Sequence, residues 1–87
     1  MNIQTIARTF GMTIDQFAKH TGYSRQAFYQ KSIRNTAKSQ QMIRDLKRLE
    51  RSMFELDIEK AKDRSDARLR AIEELEKMCA GVGETDG

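Results

Sequence analysis

Apolar residues recur at helical spacing from the first turn of the chain. Ile3, Ile6, Ala7 and Phe10 fall at i, i+3, i+4 and i+7, one face of a short helix within residues 2–10, while Thr5 and Arg8 lie off that face. Gly11 follows, where a helix end favours a residue tolerant of left-handed geometry. The next segment is the most sharply punctuated. Thr13, with Gln16 three residues on, spells a capping box, and Met12 and Phe17 flank it at the spacing of a hydrophobic staple. This predicts a second helix from Ile14 to about Thr21, ended by Gly22. Ser24 caps a third helix running to about Lys31 or Ser32, with Tyr23 and Phe28 as a second staple. Two helices joined by so short a turn must cross steeply.

Beyond Asn35 or Thr36, either of which can cap, the pattern predicts a long helix. Met42, Leu46, Leu49, Met53 and Leu56 alternate steps of four and three, a two-heptad seam that Ile43, Phe54 and Ile58 widen. Residues 59–68, in which only Ala61 and Ala67 lack a polar side chain, interrupt the stripe. They read as a solvated helical span or as a turn near Asp63–Ser65. Leu69, Ile72, Leu75, Met78 and Cys79 restore the amphipathic pattern, with Ala71 at its edge, and residues 81–87 read as a frayed tail. The expected class is all-α: an N-terminal three-helix module over residues 1–35, then long amphipathic helices over 36–80 forming an interaction arm.

Composition agrees with that class and narrows it. Strong helix formers dominate the 87 residues, Pro and Trp are absent, and the only Asp-Gly hairpin signal is Asp86-Gly87. With 38% hydrophobic residues a core can form, but a small one, and pairing with a second copy often supplies the missing stability. No stretch approaches the roughly 18–20 apolar residues that cross a bilayer. Met1 to Phe10 lacks the charged-then-apolar pattern of a signal peptide. The single cysteine, Cys79, offers no internal disulfide, so a cytoplasmic, reduced setting without a membrane partner is expected. The formal net charge of +3 becomes informative once divided. Residues 1–40 hold Arg8, Lys19, Arg25, Lys31, Arg34 and Lys38 against one acid, Asp15, a formal +5; the other ten basic and twelve acidic residues leave −2 in residues 41–87. The basic end suggests a polyanion and the mixed-charge end a partner helix.

The chemistry concentrates in residues 17–30. Ala18 is small where two crossing helices come closest, Gly22 occupies the turn, and Phe17, Tyr23 and Phe28 are placed to face inward. Arg25, Gln26, Tyr29 and Gln30 are left on the outer side of the third helix, within about one turn of each other. Arg makes paired hydrogen bonds to guanine, and Gln to adenine, across the major groove of a duplex. Tyr29 suits a phosphate or a thymine methyl. Lys19, Lys31, Arg34 and Lys38 suit phosphates and would set the register.

Gly11-Met12-Thr13-Ile14-Asp15-Gln16-Phe17-Ala18, continuing through Thr21-Gly22-Tyr23-Ser24-Arg25-Gln26-Ala27-Phe28, resembles the Cro and phage-repressor (XRE-like) type of helix-turn-helix protein, over residues 2–32. The resemblance implies that the helix beginning at Ser24 is the recognition helix. It also implies that Arg25, Gln26, Tyr29 and Gln30 contact bases and that Ser24 contacts the DNA backbone. Lys31 stands where that family buries Ile or Leu, which implies a third helix that ends early or packs differently. A helix-turn-helix followed by long helices also resembles the layout of phage small terminase subunits.

Other chemistry-bearing residues read as structural. His20 has no second His or Cys at ligand spacing and reads as a surface residue near the phosphates. Cys79 reads as a small packing residue and the Met42–Leu56 stripe as a packing seam. With no glycine-rich phosphate loop, no paired metal ligands and no nucleophile beside a base, no enzyme, metal or cofactor is expected. The leading expectation is a homodimeric, sequence-specific transcription regulator. Residues 1–35 would read double-stranded DNA, and Met42, Leu46, Leu49, Met53, Leu56, Leu69, Ile72 and Leu75 would join the copies, because one module of this size contacts too few base pairs for high affinity. Two other expectations stand beside it. One is a phage- or plasmid-type adaptor or inhibitor docking its long helices on a host protein; the other is a DNA-packaging oligomer larger than a dimer.

Overall fold

A computed structural model describes residues 2–57 and 62–83, and every regular element among them is an α-helix. α1 (Ile3–Thr9) starts at Asn2, whose side chain accepts from the Thr5 amide at 2.8 Å. α2 (Ile14–Thr21) opens with its capping box complete: the Gln16 amide donates to Thr13 Oγ1 at 3.2 Å, and the Thr13 amide donates to Gln16 Oε1 at 3.0 Å. It closes on Gly22 at φ +82°, whose amide donates to the Ala18 carbonyl at 2.9 Å. Backbone geometry, not space, demands glycine there, since an added Cβ would meet only the Lys38 side chain at an ordinary 3.7 Å.

α3 (Arg25–Tyr29) begins at Ser24, as its cap predicts, but stops earlier than Lys31. Lys31 itself adopts φ +52°. The Lys31 amide donates to the Phe28 carbonyl at 3.2 Å and the Ser32 amide to the Ala27 carbonyl at 3.1 Å, the paired closing bonds of a Schellman end. Lys31 therefore lies outside the helix and is exposed, and Ile33, at 2% exposure, fills the buried place instead. α4 (Ala37–Leu56) starts from Thr36, with Ser39 completing the cap, and α5 (Lys62–Gly83) follows. Asp63–Ser65 are helical, so the expected turn there is not present: α4 ends at Leu56, and Asp63–Ser65 belong to α5. Ile58 and residues 59–61 of the expected interruption lie outside the described residues, as do 84–87 of the expected tail, while α5 carries through Gly83.

A single core unites both halves of the chain. α5 lies against α4 and α1, and α1 and α3 flank α2. Ile6, Ala7, Phe17, Ala71 and Leu75 are wholly shut off from solvent within it. An aromatic chain crosses the N-terminal part: Phe10 stacks on Phe17 at 6.1 Å, Phe17 meets Phe28 at 5.6 Å, and Tyr23 meets Phe28 edge-on at 6.0 Å. That last contact is the second staple, and it fixes the angle at which the chain enters α3.

The structure corrects two expectations about the second half. Met42, Leu46, Ile72 and Leu75, assigned to a contact between copies, are at most 4% exposed within one chain. A heptad stripe requires a covering surface but does not say whose, and this chain folds back to supply one. Leu49 and Met53 are half-buried against the same core, whereas Leu56 (81%) and Leu69 (43%) remain exposed. The charged run is not solvated throughout, because Arg68 is 4% exposed and meets the buried Glu50 at 3.4 Å. The Ser65 hydroxyl donates to the same Glu50 oxygen, while Arg68 Nε has no hydrogen-bond partner. No described helix is long and apolar enough to cross a membrane.

Candidate nucleic-acid interface

The outer face of α3 is built by exclusion. Phe28 points α3 inward at 1% exposure and Ala27 packs half-buried beside it, which leaves Arg25, Gln26, Tyr29 and Gln30 on the outside. All four are exposed; the Arg25 side chain is 57% accessible and Tyr29 is 50% exposed. Five helical residues span about 7.5 Å, so the four side chains form one compact patch.

Two of the four are tethered from other helices. Arg25 Nη1 pairs with Asp15 Oδ1, from the first turn of α2, at 3.2 Å. The Tyr29 hydroxyl accepts from Gln4 Nε2 of α1 at 3.1 Å. Sequence reasoning assigned neither Asp15 nor Gln4 a role at this face. The one available signal was that Asp15 is the sole acid among residues 1–40. Gln4 carried no signal at all.

The groups expected to meet the DNA backbone divide in a similar way. Ser24 Oγ accepts the Ala27 amide at 3.1 Å, which leaves its O–H free to donate to an anionic oxygen. Lys19, Lys31 and Arg34 are exposed. Lys38 is different, because its ammonium donates to the Gly22 carbonyl at 2.9 Å and lies 4.3 Å over the Tyr23 ring. There it satisfies a carbonyl at the negative end of α2 and braces the α2–α3 turn from α4. Its charge is already committed. His20 is exposed and lines a shallow depression with Asp45 and Arg48 of α4.

Cys79 is buried at 5% exposure beneath α4. Burial pushes its thiol above the ordinary value, a hydrogen bond with Ser39 pulls it back part of the way, and the charge of Glu76 adds to the rise. The folded state thus favours the neutral thiol. This stabilisation is fully present at neutral pH and is lost only as pH climbs past the unfolded thiol's 9.0. Alkylation by iodoacetamide at pH 7.5 is expected to run roughly tenfold or more slower on the native protein than in denaturant. Equal rates in a mass-spectrometric time course would show the thiol to be open.

Four residues of the set assigned to pairing, Leu49, Met53, Leu56 and Leu69, keep accessible surface, and three of them lie on the half of α4 away from Lys38. Compared with proteins already known, the chain matches no protein-family model, no curated protein and no solved structure.

Proposed function

We propose that this protein binds double-stranded DNA sequence-specifically through its α2–α3 helix-turn-helix and acts as a small transcription regulator in the cytoplasm. The observation that carries the reading is the outer face of α3. Arg25, Gln26, Tyr29 and Gln30 lie together, exposed, on a helix whose cap, turn and inner face are each held by a specific contact. These residue types match the donor and acceptor pattern of base edges in the major groove. Exposed Lys19, Lys31 and Arg34 supply phosphate contacts around them.

A face this small contacts few base pairs, so we extend the proposal to a homodimer whose two copies occupy successive half-sites. The side chains left for that contact are Leu56 and Leu69, with Leu49 and Met53 beside the first. The exposure of Leu56 also favours a protein-docking role for the arm, and mass in solution separates the two. Light scattering is expected to report a dimer. A monomer favours docking on a different protein, and a mass well above a dimer favours a packaging-type ring.

The test of DNA reading is titration of duplexes at graded salt. Arg25→Ala is expected to cost about 1–3 kcal/mol on the preferred duplex and to relax preference at one base-pair position. Arg34→Ala should instead weaken binding to all duplexes about equally and lower the salt slope by about one. If both variants lose affinity uniformly across sequences, α3 is not the reading element.

A further inference from the structure

We infer that Asp15 is a positioning residue that sets the specificity of Arg25, a role that rests on the proposed reading of DNA by α3. The two side chains come from different helices and meet at 3.2 Å, guanidinium Nη1 to carboxylate Oδ1. Arg25 is the first helical residue of α3, and Asp15 lies in the first turn of α2, where the positive end of the helix favours a carboxylate. The bridge therefore links the starts of the two helices that define the motif.

Stability does not explain this pair. Its side chains are 57% and 74% accessible, and ion pairs so exposed contribute little to folding. Nor does general attraction for a polyanion, since an acid beside the reading face repels phosphates. Asp15 is the only acid among the first 40 residues, so the site carries one opposing charge within a basic set, and that charge is bonded to the residue best suited to guanine. Orientation is what remains. A free arginine samples many rotamers and loses that freedom on docking, whereas a guanidinium held by one edge presents its other donors in a fixed direction. With Nη1 engaged, Nε and Nη2 stay available to pair with the O6 and N7 of guanine.

The opposing charge adds discrimination. On an arbitrary sequence, where Arg25 finds no guanine, Asp15 contributes only repulsion. On the right one, the fixed guanidinium recovers affinity. Specificity is a difference between two affinities, and Asp15 acts on both. Gln4, which donates to the Tyr29 hydroxyl at 3.1 Å, restrains a second reading side chain in the same manner.

The experiment uses the full chain and a pool of duplex DNA randomised over the bound segment. Bound duplexes are sequenced for the wild type, Asp15→Asn, Asp15→Glu and Arg25→Ala, and affinities are then measured on the best duplex and on a scrambled one. Asp15→Asn is expected to lose preference at the same base-pair position as Arg25→Ala. Its ratio of best to scrambled affinity should fall about tenfold, chiefly because scrambled binding strengthens. Asp15→Glu should restore part of the ratio. Unchanged selection by Asp15→Asn overturns the inference, as does an equal weakening on both duplexes in a variant that still melts as the wild type does. Should Asp15→Asn unfold, Asp15→Ser, which keeps a residue suited to a helix start, gives the same comparison. A wild type that binds duplexes without sequence preference overturns the role of Asp15 while leaving DNA binding intact. A wild type that binds no duplex overturns both.

Discussion

Phe17→Ala is expected to remove about 3–5 kcal/mol of folding stability, a large part of what a domain this small holds. Phe17 has no exposed surface, and its ring lies between Phe10 at 6.1 Å and Phe28 at 5.6 Å. Truncation leaves a cavity bounded by α1, α2 and α3 together, and three rigid elements cannot collapse into it at once. The loss should also reach the proposed reading face, because Phe28 faces inward from the helix that carries Arg25 on its outside. Urea denaturation followed by circular dichroism measures the effect, with Leu56→Ala as the comparison. Leu56 is 81% exposed, and its truncation should change stability by no more than about 0.5 kcal/mol. Similar midpoints for the two variants would show that the aromatic chain is not the centre of the core.

Glu50→Ala is expected to cost a comparable amount, about 3–5 kcal/mol, for a different reason. Glu50 and Arg68 are 7% and 4% exposed, and their 3.4 Å contact sits between α4 and α5. Removing the carboxylate leaves a buried guanidinium without its counter-charge, on a side chain whose Nε already lacks a partner. Replacing both residues should behave oppositely. A Glu50→Leu, Arg68→Met double variant is expected to match the parent or exceed it by about 1–4 kcal/mol, since desolvating two charges offsets much of their attraction. A double-mutant cycle in urea isolates the coupling. A loss below about 1 kcal/mol for Glu50→Ala would mean that water reaches the pair and that the register of α5 on α4 rests on its apolar contacts alone.

Local chemistry made much of this fold legible in the sequence. The Thr13–Gln16 box, the Ser24 cap and the left-handed Gly22 each depend on atoms within a few residues and stand where the spacing predicts, while of the two candidate caps Asn35 and Thr36 the helix uses Thr36. Features that depend on distant residues were not legible. The heptad stripe from Met42 to Leu56 required burial, but only the return of α5 decides that one chain covers Met42 and Leu46. Arg68 was hidden by its polar neighbours, although it lies four residues before Ile72 on the stripe that continues to Leu75. Glu50 likewise lies four residues after Leu46. A charged residue at a core-facing position was the signal, and its partner occupied the facing helix. At the candidate site the outward positions of α3 followed from where Phe28 had to point. The tethers from Asp15 and Gln4, and the use of Lys38 to brace the turn, are contacts across 10, 25 and 16 residues, and no local pattern announces them.

The packing of α5 against α1 bears on how the polypeptide matures. Everything that touches or braces the outer face of α3 lies within residues 1–38, yet Ile6 and Ala7 share their core with Ala71, Ile72 and Leu75. A chain lacking α5 would hold its candidate reading surface on an unfinished support, with apolar side chains open to water. Contacts between such distant segments slow acquisition of the native state and leave it cooperative. The first helix, already set against the second, gains its remaining neighbours only when the fifth arrives.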